Sequence, residues 1–185
     1  MTFDERDLAE RALESRDESR AASEDSDADV WPPVSRRIAE ARLRNGLTEA
    51  DAAGRLDMTF ASYWDLENFD AEAFCAVSLV ELRALGEMLR VEPRVILLGA
   101  GTPAMVPSIS FADIASRLAE RVARDGWSAD ELGQQIGWDI AEVLADPERL
   151  WNFNVEGLYD ICQALELDWV AALPSISAGP TVPGT

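Results

Sequence analysis

Apolar positions recur at helical spacing in short runs along the chain, and no stretch alternates as a strand does. Val34, Ile38 and Ala41 follow at steps of four and three before Asn45-Gly46 ends the run. Thr48, with Asp51 three residues on, has the pattern of a capping box for a helix over 49–56. Thr59 is placed to cap a third helix over 60–67, with Tyr63 and Leu66 turned inward. Ser78 and Glu81 form an S-x-x-E box before the stripe Leu79, Leu82, Leu85 and Leu89. Pro93, tolerated in a first helical turn, opens a short helix through Leu98. The pattern predicts an all-α protein.

The second part of the chain repeats the first. A shift of 80 aligns Ala39-Glu40 with Ala119-Glu120, Arg44 with Arg124, Gly46 with Gly126, Thr48 with Ser128 and Leu56 with Ile136. Beyond the third helix the shift becomes 76, pairing Leu82 with Leu158, Leu85 with Ile161 and Leu89 with Leu165. The change falls between Asn68 and Val77, in a loop, where length varies most freely. The organisation read from this is an acidic extension over 1–30, partly helical or disordered, then five-helix units over 31–99 and 107–174. Gly99-Ala100-Gly101-Thr102-Pro103 serves as linker, and 175–185, rich in proline and glycine, as a disordered tail.

Composition narrows the chemistry. The 185 residues carry 35 acidic and 16 basic side chains, all of the latter arginine, for a net charge of −19. Residues 1–30 hold −7, residues 34–98 only −3, and residues 107–174 hold −9. Half of the arginines lie in the middle segment, so it alone is suited to approach a polyanion. The absence of histidine removes the usual general base and most zinc sites, and two cysteines cannot build a metal cluster or a disulfide framework. Neither a cofactor nor a metal is expected, nor an enzyme. No apolar run approaches a membrane span, and the charged first twenty residues do not read as a secretory signal, which points to a cytoplasmic protein.

The string IAEARLRNGLTEADAAGRLDMTFASYWDLEN, followed by SLVELRALGEMLRVEPRVILL, resembles the Cro/phage-repressor (XRE) helix-turn-helix family. The likeness covers Val34–Leu98 well and Ser108–Leu173 more weakly. It implies lambda-repressor-like five-helix units in tandem. It also implies a structural pair between Arg42 and Glu67, an arginine before the first glycine and a glutamate closing helix 3. The family places helix 3 in the major groove with helix 2 across the backbone. Carried over residue by residue, this makes Arg36, Arg37, Arg44 and Arg55 candidates for phosphates and Thr48 a helix-2 contact. Thr59, Phe60, Ala61 and Ser62, with Asp65, would then face bases.

This sequence departs from that pattern at the readout positions. Base edges are read by forked donors and acceptors, and these positions hold none. In the second copy Val122 replaces the arginine of the pair, and the third helix carries Asp139, Glu142 and Asp146. Met58, Phe60, Trp64, Trp138 and Trp151 exceed what small cores hide, and exposed aromatics anchor protein interfaces. Two functions follow. One is a transcriptional regulator, in one form a homodimer, binding double-stranded DNA through the first unit. The other is an acidic protein-binding module, antitoxin-like, anti-regulatory or DNA-mimicking, with the second unit offered to a protein partner.

Overall fold

The computed structural model describes residues 33–100 and 108–176. The acidic extension over 1–30, the remainder of the linker and residues 177–185 lie outside the described residues. Those described are helical, with no strand among them. The first run comprises α1 (Val34–Arg44), α2 (Glu49–Arg55), α3 (Phe60–Asn68), α4 (Glu72–Cys75), α5 (Leu79–Leu89) and α6 (Pro93–Leu98). The second comprises α7 (Phe111–Asp125), α8 (Ala129–Ile136), α9 (Ala141–Ala145), a 3-10 helix (Pro147–Asn152), α10 (Val155–Ala164) and α11 (Trp169–Ala172).

Local chemistry starts these helices. Thr48, Ser78, Ser110 and Ser128 each form a full capping box with an acid three residues on, and Thr59 and Asn154 cap α3 and α10. A side-chain oxygen at this position satisfies an amide that the helix leaves unpaired. The apolar stripes behind the caps are buried. Ile38, Tyr63, Leu66, Leu82, Leu85 and Leu89 fill the core beneath the first run, and Ile114, Leu118, Val143, Leu158 and Ile161 that beneath the second.

The two runs repeat each other turn by turn. Leu47 N donates to Arg42 O and, 80 residues on, Trp127 N to Val122 O; Met58 N donates to Ala53 O and Trp138 N to Gly133 O. Left-handed backbone falls at Gly46 and Gly126, and at Asp57 and Gly137. At the shift of 76, Arg90 and Glu166 share φ values of 55° and 56°, and Val91 N to Gly86 O is matched by Leu167 N to Cys162 O.

The runs also pack together. From Val34 onward the described residues belong to one compact unit, so the packing crosses the expected boundary at Gly99. Ser78 and Asn154, counterparts at the shift of 76, meet each other in an antiparallel bridge, and Leu79 N donates to Phe153 O at 2.7 Å. A residue that meets its own counterpart in antiparallel sense marks a local two-fold relation. The surrounding contacts follow it: α4 packs on α10, and the 3-10 helix, the counterpart of α4, packs on α5. Across this seam Asn154 Nδ2 donates to Cys75 O at 2.6 Å, and the buried Arg83 guanidinium lies over the Trp151 ring.

The tail, expected to be disordered from 175, is held at its first two residues. Ser175 Oγ and Ile176 N each donate to the Glu92 carboxylate at 3.3 Å, and Ile176 closes over Gly86. Trp138 and Trp151 are half-buried packing residues. Trp138 Nε1 donates to Asp160 and its ring sits on Gly157, while Trp151 Nε1 donates to Glu148 and meets Phe111 edge-on.

Candidate binding surface on α3

Helix α3 is fixed from behind by an ion pair. Arg42 Nε donates to Glu67 Oε1 at 2.6 Å and Nη2 to Oε2 at 2.7 Å, with side chains 9 % and 4 % exposed. The two-pronged geometry is the strongest that a guanidinium offers a carboxylate. Arg42 also donates to Leu47 O at 2.8 Å, so one side chain ties α1, the loop before α2 and the end of α3. The hydrogen bond to Glu67 outweighs desolvation and raises the arginine above its ordinary range. Tyr63 is buried beside the pair; desolvation, then Glu67, push its hydroxyl well above the usual phenol range.

The turn into α3 uses a non-glycine residue in left-handed backbone, Asp57 at φ 54°, a conformation that aspartate tolerates better than most. Met58 N then closes on Ala53 O, and Thr59 caps α3 by accepting from Ser62 N. At 3.6 residues per turn, burial of Tyr63 and Leu66 leaves Ala61, Asp65 and Asn68 on the outward line. Phe60 and Trp64 stand one turn apart on its flank, 53 % and 41 % exposed. Phe69, 52 % exposed, meets the Trp64 ring edge-on at 6.0 Å. The outward surface of α3 is therefore aromatic, with one carboxylate and no cation.

The other sequence-derived site residues lie around this helix with their polar atoms largely engaged. Thr48 Oγ1 accepts from Asp51 N and donates to Asp51 Oδ2 at 2.7 Å, and that bond leads in holding the Asp51 carboxyl below its ordinary range. Thr59 Oγ1 and Ser62 Oγ are 2.8 Å apart and hydrogen-bonded to each other. Arg36 pairs with Glu40 at 2.8 Å at the surface, and Arg44 Nε reaches Glu40 O at 3.3 Å, so Glu40 sits between two of the arginines. Arg55 is exposed in the last turn of α2.

Arg37 is occupied elsewhere. Its Nε donates to Ile96 O at 2.7 Å and Nη2 to Leu97 O at 2.6 Å, which satisfies the last carbonyls of α6. Desolvation lowers it from its ordinary value, partly offset by Asp70. The residue read as a phosphate contact is a clamp between α1 and α6. Trp64, one of the aromatics that the sequence offers in excess of a small core, is exposed, whereas Phe69 was not among the sequence-derived candidates. The place of Trp64 follows once Tyr63 and Leu66 claim the buried side, since i and i+4 then put Phe60 and Trp64 together.

The corresponding surface of the second run is acidic and shorter. Asp139, Glu142 and Asp146 are exposed around α9, and Ile140, the counterpart of Phe60, is buried. Among the described residues no three histidine, cysteine, aspartate or glutamate side chains are grouped to hold a metal. Burial raises Cys75 above its ordinary value and pushes Cys162 up to about 12, so neither thiol is activated as a thiolate. No described helix is long and apolar enough to cross a membrane. Compared with family models, curated proteins and solved structures, the chain finds no match.

Proposed function

We propose that this chain is a protein-binding regulatory module on a tandem helix-turn-helix scaffold, with the outward side of α3 as its contact surface. One observation carries the reading: Phe60 and Trp64 are exposed side by side on a helix locked in place by Arg42 and Glu67. Rigid, half-exposed aromatics are the residues that dominate protein interfaces. A helix that reads bases needs forked donors and acceptors along its outward line. Here that line is Ala61, Asp65 and Asn68, and the Asn68 amide donates to Trp64 O at 2.8 Å.

The second reading is an XRE-like, DNA-binding transcriptional regulator. It is favoured by Arg36, Arg44 and Arg55, which stay exposed on α1 and α2, and by Thr48 at the start of α2. With Arg37 committed to α6, three arginines remain. At about 0.9 per phosphate neutralised, a complex would lose affinity with a log–log salt slope of about 3.

Titrating the folded full chain with random-sequence duplex DNA at two low salt concentrations separates the two. The protein-binding reading expects no complex. A complex with a slope of about 3 that is weakened by Arg55→Ala overturns it.

A further inference from the structure

We propose that the α3 surface receives a cationic amphipathic helix, rich in arginine or lysine, from a partner protein; this rests on the protein-binding reading and names its occupant. The apolar part of the surface is a strip. Phe60 and Trp64 stand one turn apart, and Phe69 extends the line past the C-terminus of α3 against the Trp64 ring. Ten residues at the helical rise of about 1.5 Å span about 14 Å, the length of two to three turns of a facing helix. A facing helix offers side chains at i, i+3, i+4 and i+7 that match such a strip.

Charge selects the sign of the occupant. Asp57 is exposed at the turn before α3 and Asp65 lies on its outward line, while α3 itself has no lysine or arginine. Arginine on the incoming helix also has a second use here. The protein twice lays a guanidinium over an indole, Arg83 on Trp151 at 5.4 Å and Arg121 on Trp127 at 5.9 Å. Trp64 is 41 % exposed, which offers its indole to the same kind of contact from an incoming guanidinium.

The same charges disfavour the other occupants. A nucleic acid would bring phosphates to a helix face with one outward carboxylate, Asp65, and no cation. A second copy of this chain would set Asp65 against its own kind within a pair of molecules of charge −19 each. The chain's own residues 1–30 carry −7 and meet the same repulsion.

Three labelled probes test this with the intact chain: a 16-residue peptide with leucine and arginine at amphipathic helical spacing, the same peptide with glutamate for arginine, and a 20-base-pair duplex. The arginine peptide is expected to bind, more weakly as salt rises. Phe60→Ser and Trp64→Ala should each lower its affinity at least tenfold, and Asp65→Asn about threefold, with unchanged circular dichroism. Glu142→Gln, on the acidic side of the second run, should leave affinity within twofold. If Phe60→Ser and Trp64→Ala bind like the unaltered chain, the attraction is general acidity and the proposal is overturned. Absence of arginine-peptide binding overturns it equally. Binding of the glutamate peptide alone, lost in Trp64→Ala, overturns the occupant but keeps the protein-binding reading, whereas duplex binding weakened by Arg55→Ala overturns that reading itself.

Discussion

The two runs of the chain share their turns and differ in what locks them. In the first, α3 extends nine residues to Asn68, and its Glu67 carboxylate holds Arg42 from both prongs. In the second, the shift of 80 puts Val122 where Arg42 stands and Pro147 where Glu67 stands, so both members of the pair are gone. The proline also explains the length of α9. Asp146, before it, is extended at φ −148° and ψ 102°, as a pre-proline residue prefers, and the helix stops after five residues. The chain turns instead into the 3-10 helix, whose counterpart in the first run is α4.

What takes over the bracing is aromatic. Trp138, the counterpart of Met58, donates to Asp160 at 2.8 Å and packs on Phe153, with Gly157 leaving room for both rings. Arg121 is paired with Asp125 and donates to Ala164 O at 3.0 Å, which ties α7 to the end of α10. Capping motifs are encoded within four residues, so each is met locally and independently of the others. A buried ion pair needs two distant residues at once, since losing one leaves an unpaired charge. The second run thus has caps of the same kind as the first and a different lock.

The largest test of that contrast removes half of the lock. Glu67→Ala leaves the Arg42 guanidinium buried without its carboxylate, and the expected cost is about 3–5 kcal/mol. The corresponding sites of the second run allow no such loss, and Val122→Ala, at a half-buried position, is expected to cost about 1 kcal/mol. Urea melts of the full chain measure both. A Glu67→Ala loss no greater than that of Val122→Ala would show that the two runs are held alike.

A second difference lies in the turns themselves. Ala53 in the first run corresponds to Gly133 in the second, and both carbonyls accept the same turn amide. A Cβ on Gly133 would stand 2.7 Å from Trp138 O, which is backbone and cannot step aside. Gly133→Ala, which merely copies the first run, is expected to cost about 1–3 kcal/mol by overpacking. An unchanged melting curve would mean that the α8–α9 turn relaxes to the wider form of its counterpart.

Where the runs agree, equal responses are expected. Thr48→Ala and Ser128→Ala each remove a cap of the same design, for about 1 kcal/mol each. Their pH dependence separates them. Asp51 is held below its ordinary 3.8 first by the Thr48 hydroxyl, and Glu131 below its ordinary 4.5 first by the Ser128 backbone amide. Folded-state values lowered in this way stabilise above the unfolded values, and that contribution is lost as pH falls through the folded ones. The hydroxyl of Thr48 is removed by its substitution, whereas the Ser128 amide stays. On acidification from pH 7 to below the ordinary aspartate value, the Thr48→Ala penalty should shrink more than the Ser128→Ala penalty, as measured by melts across that range.

The caps were legible because each is a four-residue pattern, and the repeat because one shift aligned them. The α1–α3 pair was legible only through the family resemblance, since Arg42 and Glu67 are 25 residues apart and no local pattern joins them. The clamp that Arg37 makes was hidden for the same physical reason. Nothing near position 37 announces that the carbonyls of Ile96 and Leu97 come beside it, and an arginine that closes a distant helix looks in sequence like any exposed one. The seam between the runs was hidden too, because α4 and the 3-10 helix are too short for periodicity to register. The tail was read by composition, which cannot foresee that the Glu92 carboxylate binds Ser175 and Ile176.

The smallest contrast concerns one position of α2. Gly54 lies inside the helix with nothing within 4 Å of where a Cβ would stand, and its counterpart at the shift of 80 is Gln134. Glycine in a helix costs about 0.5–1 kcal/mol relative to alanine, because the unfolded chain has more freedom to lose. Its backbone is not in the left-handed region that would require glycine, and Arg55 beside it keeps its exposure. Gly54→Ala is therefore expected to stabilise the chain by about 0.5 kcal/mol, toward the low end of that range because the helix ends one residue later. The same substitution at Gly133 destabilises, so the two glycines, one per run, should move the urea midpoint in opposite directions. If Gly54→Ala also lowers the midpoint, α2 is strained in a way that its counterpart α8 is not, and the shared design of the two turns is looser than their matching hydrogen bonds imply.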